Sequence, residues 1–131
     1  MENSFTDLSR YRLDRAKDDL QSARILIENN KIPQSINRSY YAIFHATRAL
    51  CALDKFDSKK HSGIISHFNK NYIKTGIIDK EYSKILMAAQ DYRNDSDYDD
   101  YFTVTEKEAL EQIENAEKFI NRIEKYISER T

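Results

Sequence analysis

Between Leu13 and Ile27 the apolar residues Leu13, Ala16, Leu20, Ala23 and Ile27 return three and four positions apart, while Asp14, Arg15, Lys17, Asp18 and Asp19 fill much of the rest. That spacing sets the apolar set along one face of a helix and predicts a first helix from about Thr6 to Asn29. Asn29-Asn30-Lys31 interrupts it, and Pro33 suits an early position of a second helix, where its missing N–H costs nothing. The second helix, about Pro33 to Asp54, is apolar around much of its circumference (Ile36, Tyr40, Tyr41, Ile43, Phe44, Ala46, Leu50, Cys51, Leu53), as befits the element that the others pack against.

After the polar loop Lys55 to Ser58, a shorter third helix carries Ile64, Ile65, Phe68 and Tyr72 and stops near Gly76, which tolerates a left-handed turn. Asp79 can cap a fourth helix with Tyr82, Ile85, Leu86, Ala89 and Tyr92 on its apolar side. The helical pattern gives way over residues 91–101, where one arginine sits among five aspartates and three tyrosines. Thr105-Glu106-Lys107-Glu108 then has the Thr-x-x-Glu form of a capping box, and a closing helix follows with Ala109, Ile113, Ala116, Ile120, Ile123 and Ile127 inward.

Composition narrows the fold. A chain of 131 residues with two Gly, one Pro and 33% charged residues has few turn breakers, so one domain spanning 1–131 is expected. Its class is all-α, an up-and-down bundle of four to five helices. Nine tyrosines and no tryptophan suit helix seams and an association surface, which points to a partner. The single Cys51, inside an apolar run, can form neither an internal disulfide nor a metal site, which suits a reducing cytoplasm. No charged-then-apolar leader opens the chain and no apolar stretch approaches the roughly 20 residues that cross a bilayer, so a cytoplasmic protein off the membrane is expected. A net charge of -1 lacks the Lys and Arg excess that binds long DNA, although a dimer can gather cations from two chains into one groove.

Candidate chemistry lies in two segments. Arg38, Tyr41 and His45, three and four apart, share a face of the second helix. A cation, a hydroxyl and an imidazole there can contact phosphate or nucleotide; alternatively Tyr41 and His45 are packed seam residues and Arg38 anchors an acidic neighbour, with the aspartates of residues 91–100 as candidates. Arg93 is the second: either a functional cation, or one member of a solvated loop whose aspartates cap a helix or pair with arginines. His61 and His67, six apart, fall on different faces and exclude the i, i+4 zinc pattern. Asp95, Asp97, Asp99 and Asp100 lack the glycine and terminal glutamate of a calcium loop. There is no Gly-rich phosphate cradle and no Gly-x-Ser-x-Gly elbow, so neither metal nor cofactor is expected.

Taken together, Ser39-Tyr-Tyr-Ala-Ile-Phe-His-Ala46, Lys60-His-Ser-Gly-Ile-Ile-Ser-His-Phe68, and Arg93-Asn94 with Asp97-Tyr98 resemble the HEPN (higher eukaryotes and prokaryotes nucleotide-binding) domain, in its small stand-alone prokaryotic form. The resemblance covers nearly the whole chain. It implies a helical bundle that pairs into a homodimer, with the fourth-helix motifs of both copies facing one cleft. It also implies a toxin–antitoxin or defence module beside a nucleotidyltransferase partner, with RNA or nucleotide as ligand. Many members are metal-independent endoribonucleases whose motif is Arg, four to six residues, then His. Carried over, Arg93 and Asn94 match and Tyr98 stands at the histidine position. An unperturbed phenol, with a pKa near 10, is a far poorer general base than imidazole. Weak or absent cleavage is the expectation, with Tyr98 donating to the leaving oxygen, or His45 reaching the cleft, as the routes open to it. Some members are silenced when the partner modifies a tyrosine near the motif; Tyr98 and Tyr101 flank the matching position. A catalytically silent interaction module is the alternative.

Overall fold

The computed structural model describes residues 4–131. Its elements are α1 (Ser4–Glu28), α2 (Ile32–Leu53), α3 (His61–Phe68), a π-helical turn (Asn69–Ile73), α4 (Lys80–Tyr98) and α5 (Glu106–Arg130), with no strand among the described residues. The five α-helices pack as a bundle, and α2 touches each of the other four.

The helices form where apolar spacing demands it. Leu13, Ala16, Leu20, Ala23 and Ile27 of α1 are all buried, and so are Ala109, Ile113, Ala116, Ile120, Ile123 and Ile127 of α5. Asn30 turns the chain between α1 and α2 in the left-handed region (φ 62°), which a short polar side chain tolerates better than most. The two helices then run antiparallel: Ser35 donates to the carbonyl of Ala23 near the turn (2.7 Å) and Ser9 to that of Ala49 at the far end (2.8 Å). Buried serines satisfied on a neighbouring backbone let the helices approach closely without leaving an orphan hydroxyl.

At the far end of α2, Asp54 joins three elements. It accepts from Tyr72 (2.7 Å), from Arg130 of α5 (2.8 Å) and from His67 Nε2 (2.8 Å). Burial works against its ionised form, but these donors outweigh burial and hold the carboxyl below its ordinary range. Tyr72 is delivered by the π-helical turn, where the expected third helix gives way after Phe68; Gly76, with φ 80°, ends the segment as its freedom predicts.

Two expectations need correction. The predicted break over residues 91–101 is not there at its start: α4 continues to Tyr98, so Arg93, Asn94 and Tyr98 lie on its last turns rather than after it. Asp, Asn and Ser are poor helix formers, but Tyr92 donates to Glu108 (2.8 Å) and Arg93 pairs with Asp97 one turn on (3.1 Å), and these anchors carry the helix forward. Asp79 takes the N-cap position of α4 in extended conformation, yet its side chain makes no capping hydrogen bond.

The capping box of α5 forms as its sequence predicts, Glu108 N–H donating to Thr105 Oγ1 (3.0 Å) and Thr105 N–H to the Glu108 carboxylate (3.1 Å). Thr105→Ala is expected to cost about 1 kcal/mol and to lower Tm by about 4 °C in a calorimetric scan. Since Glu108 also accepts from Tyr92, exchange of the last amides of α4 should accelerate in the same variant.

Candidate functional site

A platform of two tyrosines on α2 underlies the site. Tyr40 is fully buried and Tyr41 partly so; their rings meet edge to face at 5.2 Å. Arg93 reaches across from α4, its guanidinium carbon 5.5 Å from the Tyr40 ring centre and 5.8 Å from that of Tyr41. These are cation–π distances. Nη2 of Arg93 donates to the Tyr41 hydroxyl at a long 3.4 Å. Its Nε lies 3.1 Å from the Asp97 carboxylate but without hydrogen-bond geometry, and that buried nitrogen has no hydrogen-bond partner. The side chain is 23% exposed. It is a cation held at the surface, with donors not fully spent.

Of the other two residues expected on that α2 face, one joins the platform. Arg38 lies 4.9 Å over the Tyr41 ring and donates to Asp19 of α1 (3.1 Å). Its acidic partner is therefore on α1, not among residues 91–100, because its position on α2 faces the α1 seam. His45 lies 6.0 Å from Tyr41, ring to ring, but its side chain is only 8% exposed, with Nε2 3.6 Å from Asp19 and Nδ1 unpartnered. Burial, then Arg15, Arg48, Arg38 and Arg12, pushes its pKa down to about 4, so the imidazole is neutral at pH 7. Burial raises the pKa of Asp19, opposed by Arg38 and Arg15. The lowered His45 pKa keeps its contact with Asp19 from being an ion pair at neutral pH. Asn94 is partly exposed beside Arg93, while Tyr98 and Tyr101 stand 81% and 90% exposed.

The structure adds a residue to this cluster. His61, first in α3, sets Nδ1 2.8 Å from the Tyr40 hydroxyl and stacks on Phe44 at 4.0 Å. Its ring also meets Tyr41 edge to face at 6.0 Å. Burial lowers its pKa, and Arg93 and Arg48 lower it further. The local fold explains the placement. A Cβ at Gly63 would sit 2.3 Å from Ser58 Oγ and 2.8 Å from Ser58 Cβ, so only glycine lets the start of α3 lie this close to the preceding loop. On the outer side of His61 opens a cavity of about 320 Å³ lined by Phe44, Arg48, Asp57, Ser58, Lys59 and His61. Helical spacing shows only that His61 and His67 do not form a zinc pair; the contact of His61 with Tyr40 is tertiary and no periodicity announces it.

Among the described residues, no group of three or more His, Cys, Asp or Glu is placed to hold a metal ion. No described helix is long and apolar enough to cross a membrane. Cys51 is buried, and burial pushes its thiol up to about 12, which leaves it unreactive.

Residues 9–126 match the HEPN domain. The chain belongs to the HEPN family. A Thermotoga maritima protein named "UPF0332 protein" is 33% identical over 115 residues, covering 88% of this chain and 87% of the relative. Two Methanocaldococcus jannaschii proteins are also similar: one named "Putative toxin MJ0605", 36% identical over 87% of this chain and 84% of its own length, and one named "Putative toxin MJ0142", 29% identical over 88% and 78%. The HEPN match spans α2, α3 and α4, the elements that supply the platform, His61 and Arg93.

Proposed function

We propose that this HEPN protein is the toxin-like component of a cytoplasmic HEPN/nucleotidyltransferase module, a homodimer whose cleft binds RNA or nucleotide and cleaves RNA weakly without a metal. The observation that carries the reading is Arg93: a side chain three-quarters buried on a tyrosine platform, with an unsatisfied Nε, one long hydrogen bond to Tyr41, and a partly exposed carboxylate one turn away as its ion-pair partner. An i, i+4 ion pair of this kind contributes about 0.3–0.5 kcal/mol, so a phosphate offering a bidentate bond can displace Asp97. Two copies pooling Arg93 and Arg38 supply the local cation density that a chain of net charge -1 lacks.

In this reading Arg93 stabilises charge on the scissile phosphate, Asn94 hydrogen-bonds the same group, and Tyr98 donates to the leaving oxygen. Arg38 and Tyr41 contact the strand, and His45 supports them from beneath. Relatives bearing the word toxin in their names support the module, and the exposed phenols of Tyr98 and Tyr101 can accept a nucleotidyl group from its partner enzyme.

The test is RNA cleavage in EDTA by wild type and by Arg93→Ala, with dimerisation followed by light scattering. A dimer whose cleavage falls at least tenfold in the variant is expected. Equal backgrounds would favour a second reading, a silent interaction module, which the exposed Tyr98 and Tyr101 and the Asp97 contact on Arg93 also suit.

A further inference from the structure

The cleaving form of the proposed function lacks a base, since the chain has no histidine after His67 and the motif position carries Tyr98, whose phenol is a poorer general base than an imidazole. We infer that His61 of α3 supplies the missing imidazole, as the general base for RNA cleavage beside Arg93.

Three observations converge on that residue. Arg93 and His61 share one platform: the guanidinium lies 5.5 and 5.8 Å from the Tyr40 and Tyr41 ring centres, and the imidazole 5.9 and 6.0 Å from the same two. The imidazole has an orienting partner, because Nδ1 is 2.8 Å from the Tyr40 hydroxyl. In the tautomer whose Nδ1–H donates to that oxygen, Nε2 carries the free lone pair, which is the arrangement of a base held by a third group. The side chain is only partly buried, and the cavity beside it brings the cations Arg48 and Lys59. His61 borders both the platform that holds Arg93 and the cavity that Arg48 and Lys59 line, so a strand with one phosphate on Arg93 and the next towards those cations would pass beside it.

The charged and titratable groups around His61 are Tyr40, Tyr41 and Arg48 of α2, Arg93 of α4, and Asp57 and Lys59 of the loop before α3. Burial, then Arg93 and Arg48, lowers the imidazole's pKa, so the ring is neutral at pH 7 and available as a base, and the Tyr40 phenol, pushed up to about 12 chiefly by burial, stays protonated beside it. In the step itself, the ribose 2′ oxygen forms a bond to the adjacent phosphorus while its proton passes to His61 Nε2. The bond from phosphorus to the 5′ oxygen breaks, leaving a 2′,3′-cyclic phosphate. The departing oxygen, hydrogen-bonded by Tyr98, takes a proton from water, and the imidazolium neutralises the hydroxide so formed.

The experiment is a pH profile of RNA cleavage by the protein in EDTA, for wild type, His61→Gln, Tyr40→Phe and Arg93→Ala, with circular dichroism as a check on folding. Wild-type kcat should rise to a plateau, its acidic limb below pH 6.5, and the products should end in 2′,3′-cyclic phosphate. His61→Gln should lower kcat at pH 7.5 about a hundredfold with KM little changed, and abolish the limb. Tyr40→Phe, which keeps the ring and removes only the hydroxyl, should lower kcat several-fold and serves if His61→Gln fails to fold. Cleavage that needs Arg93 but keeps its rate and acidic limb in His61→Gln would overturn the assignment while leaving the site at Arg93 standing. A folded wild type with no Arg93-dependent cleavage would overturn both.

Discussion

Phe119→Ala is expected to lower the stability of the folded protein by about 4 kcal/mol, as Phe→Ala changes in well-packed cores do. The ring is 0% exposed on the inner face of α5, 5.6 Å from Phe68 of α3 and 6.1 Å from Tyr82 of α4. It is thus a junction of three helices, and the surrounding backbone is helical on every side, so a void there collapses poorly. A domain of this size has about 5–15 kcal/mol in all, so the variant should lose two or more molar in its urea midpoint at an m value of about 1.5 kcal/mol/M. It should also weaken anything that depends on Arg93, because Tyr82 and Arg93 ride on one helix and Phe119 fixes the other end of it. A loss under 1 kcal/mol in urea unfolding would mean that α3, α4 and α5 do not share one core.

Much of this fold was legible from spacing because α1 and α5 each bury a stripe recurring at three and four residues, and a helix is the conformation that gathers such a stripe on one side. The capping box at Thr105 was legible for a similar reason, since both partners lie within one turn. What escaped is what long-range contacts decide. Aspartate-rich sequence argued for a loop after Tyr92, and local propensity alone favours one; the hydrogen bond from Tyr92 to Glu108 on another helix tips the balance for α4. Arg38 needed an acidic partner, and many candidates lay in the most acidic stretch of the chain; the turn at Asn30 instead folds Asp19 back onto it. Likewise, His61 and Arg93 are more than thirty residues apart in sequence and share a site because both lean on the two tyrosines of α2. The HEPN segments pointed to those regions without saying which side chains would touch.

Acid should destabilise the protein before its carboxylates titrate, and His45 is the reason. In the unfolded chain this imidazole takes up a proton near its ordinary 6.5, whereas in the folded protein burial and the cations Arg15, Arg48, Arg38 and Arg12 hold it off until about 4. Between those values the unfolded state binds more protons, so stability falls as pH falls through the window and is unaffected above it. The lowered pKa of His61 acts in the same direction. Asp19, whose pKa burial raises, opposes the loss at the acid end, since the folded state holds that proton more tightly. The net effect for His45 is about 2 kcal/mol between pH 7.5 and pH 4.5, less than the full shift converts to, because solvent reaching the partly exposed Arg38 screens the site. Urea unfolding at the two pH values measures it, and His45→Gln, which cannot take up the proton, should remove most of the difference. An undiminished difference in that variant would place the acid-sensitive group elsewhere, and with it the cationic surroundings that keep this imidazole a neutral support under Tyr41 and Arg38.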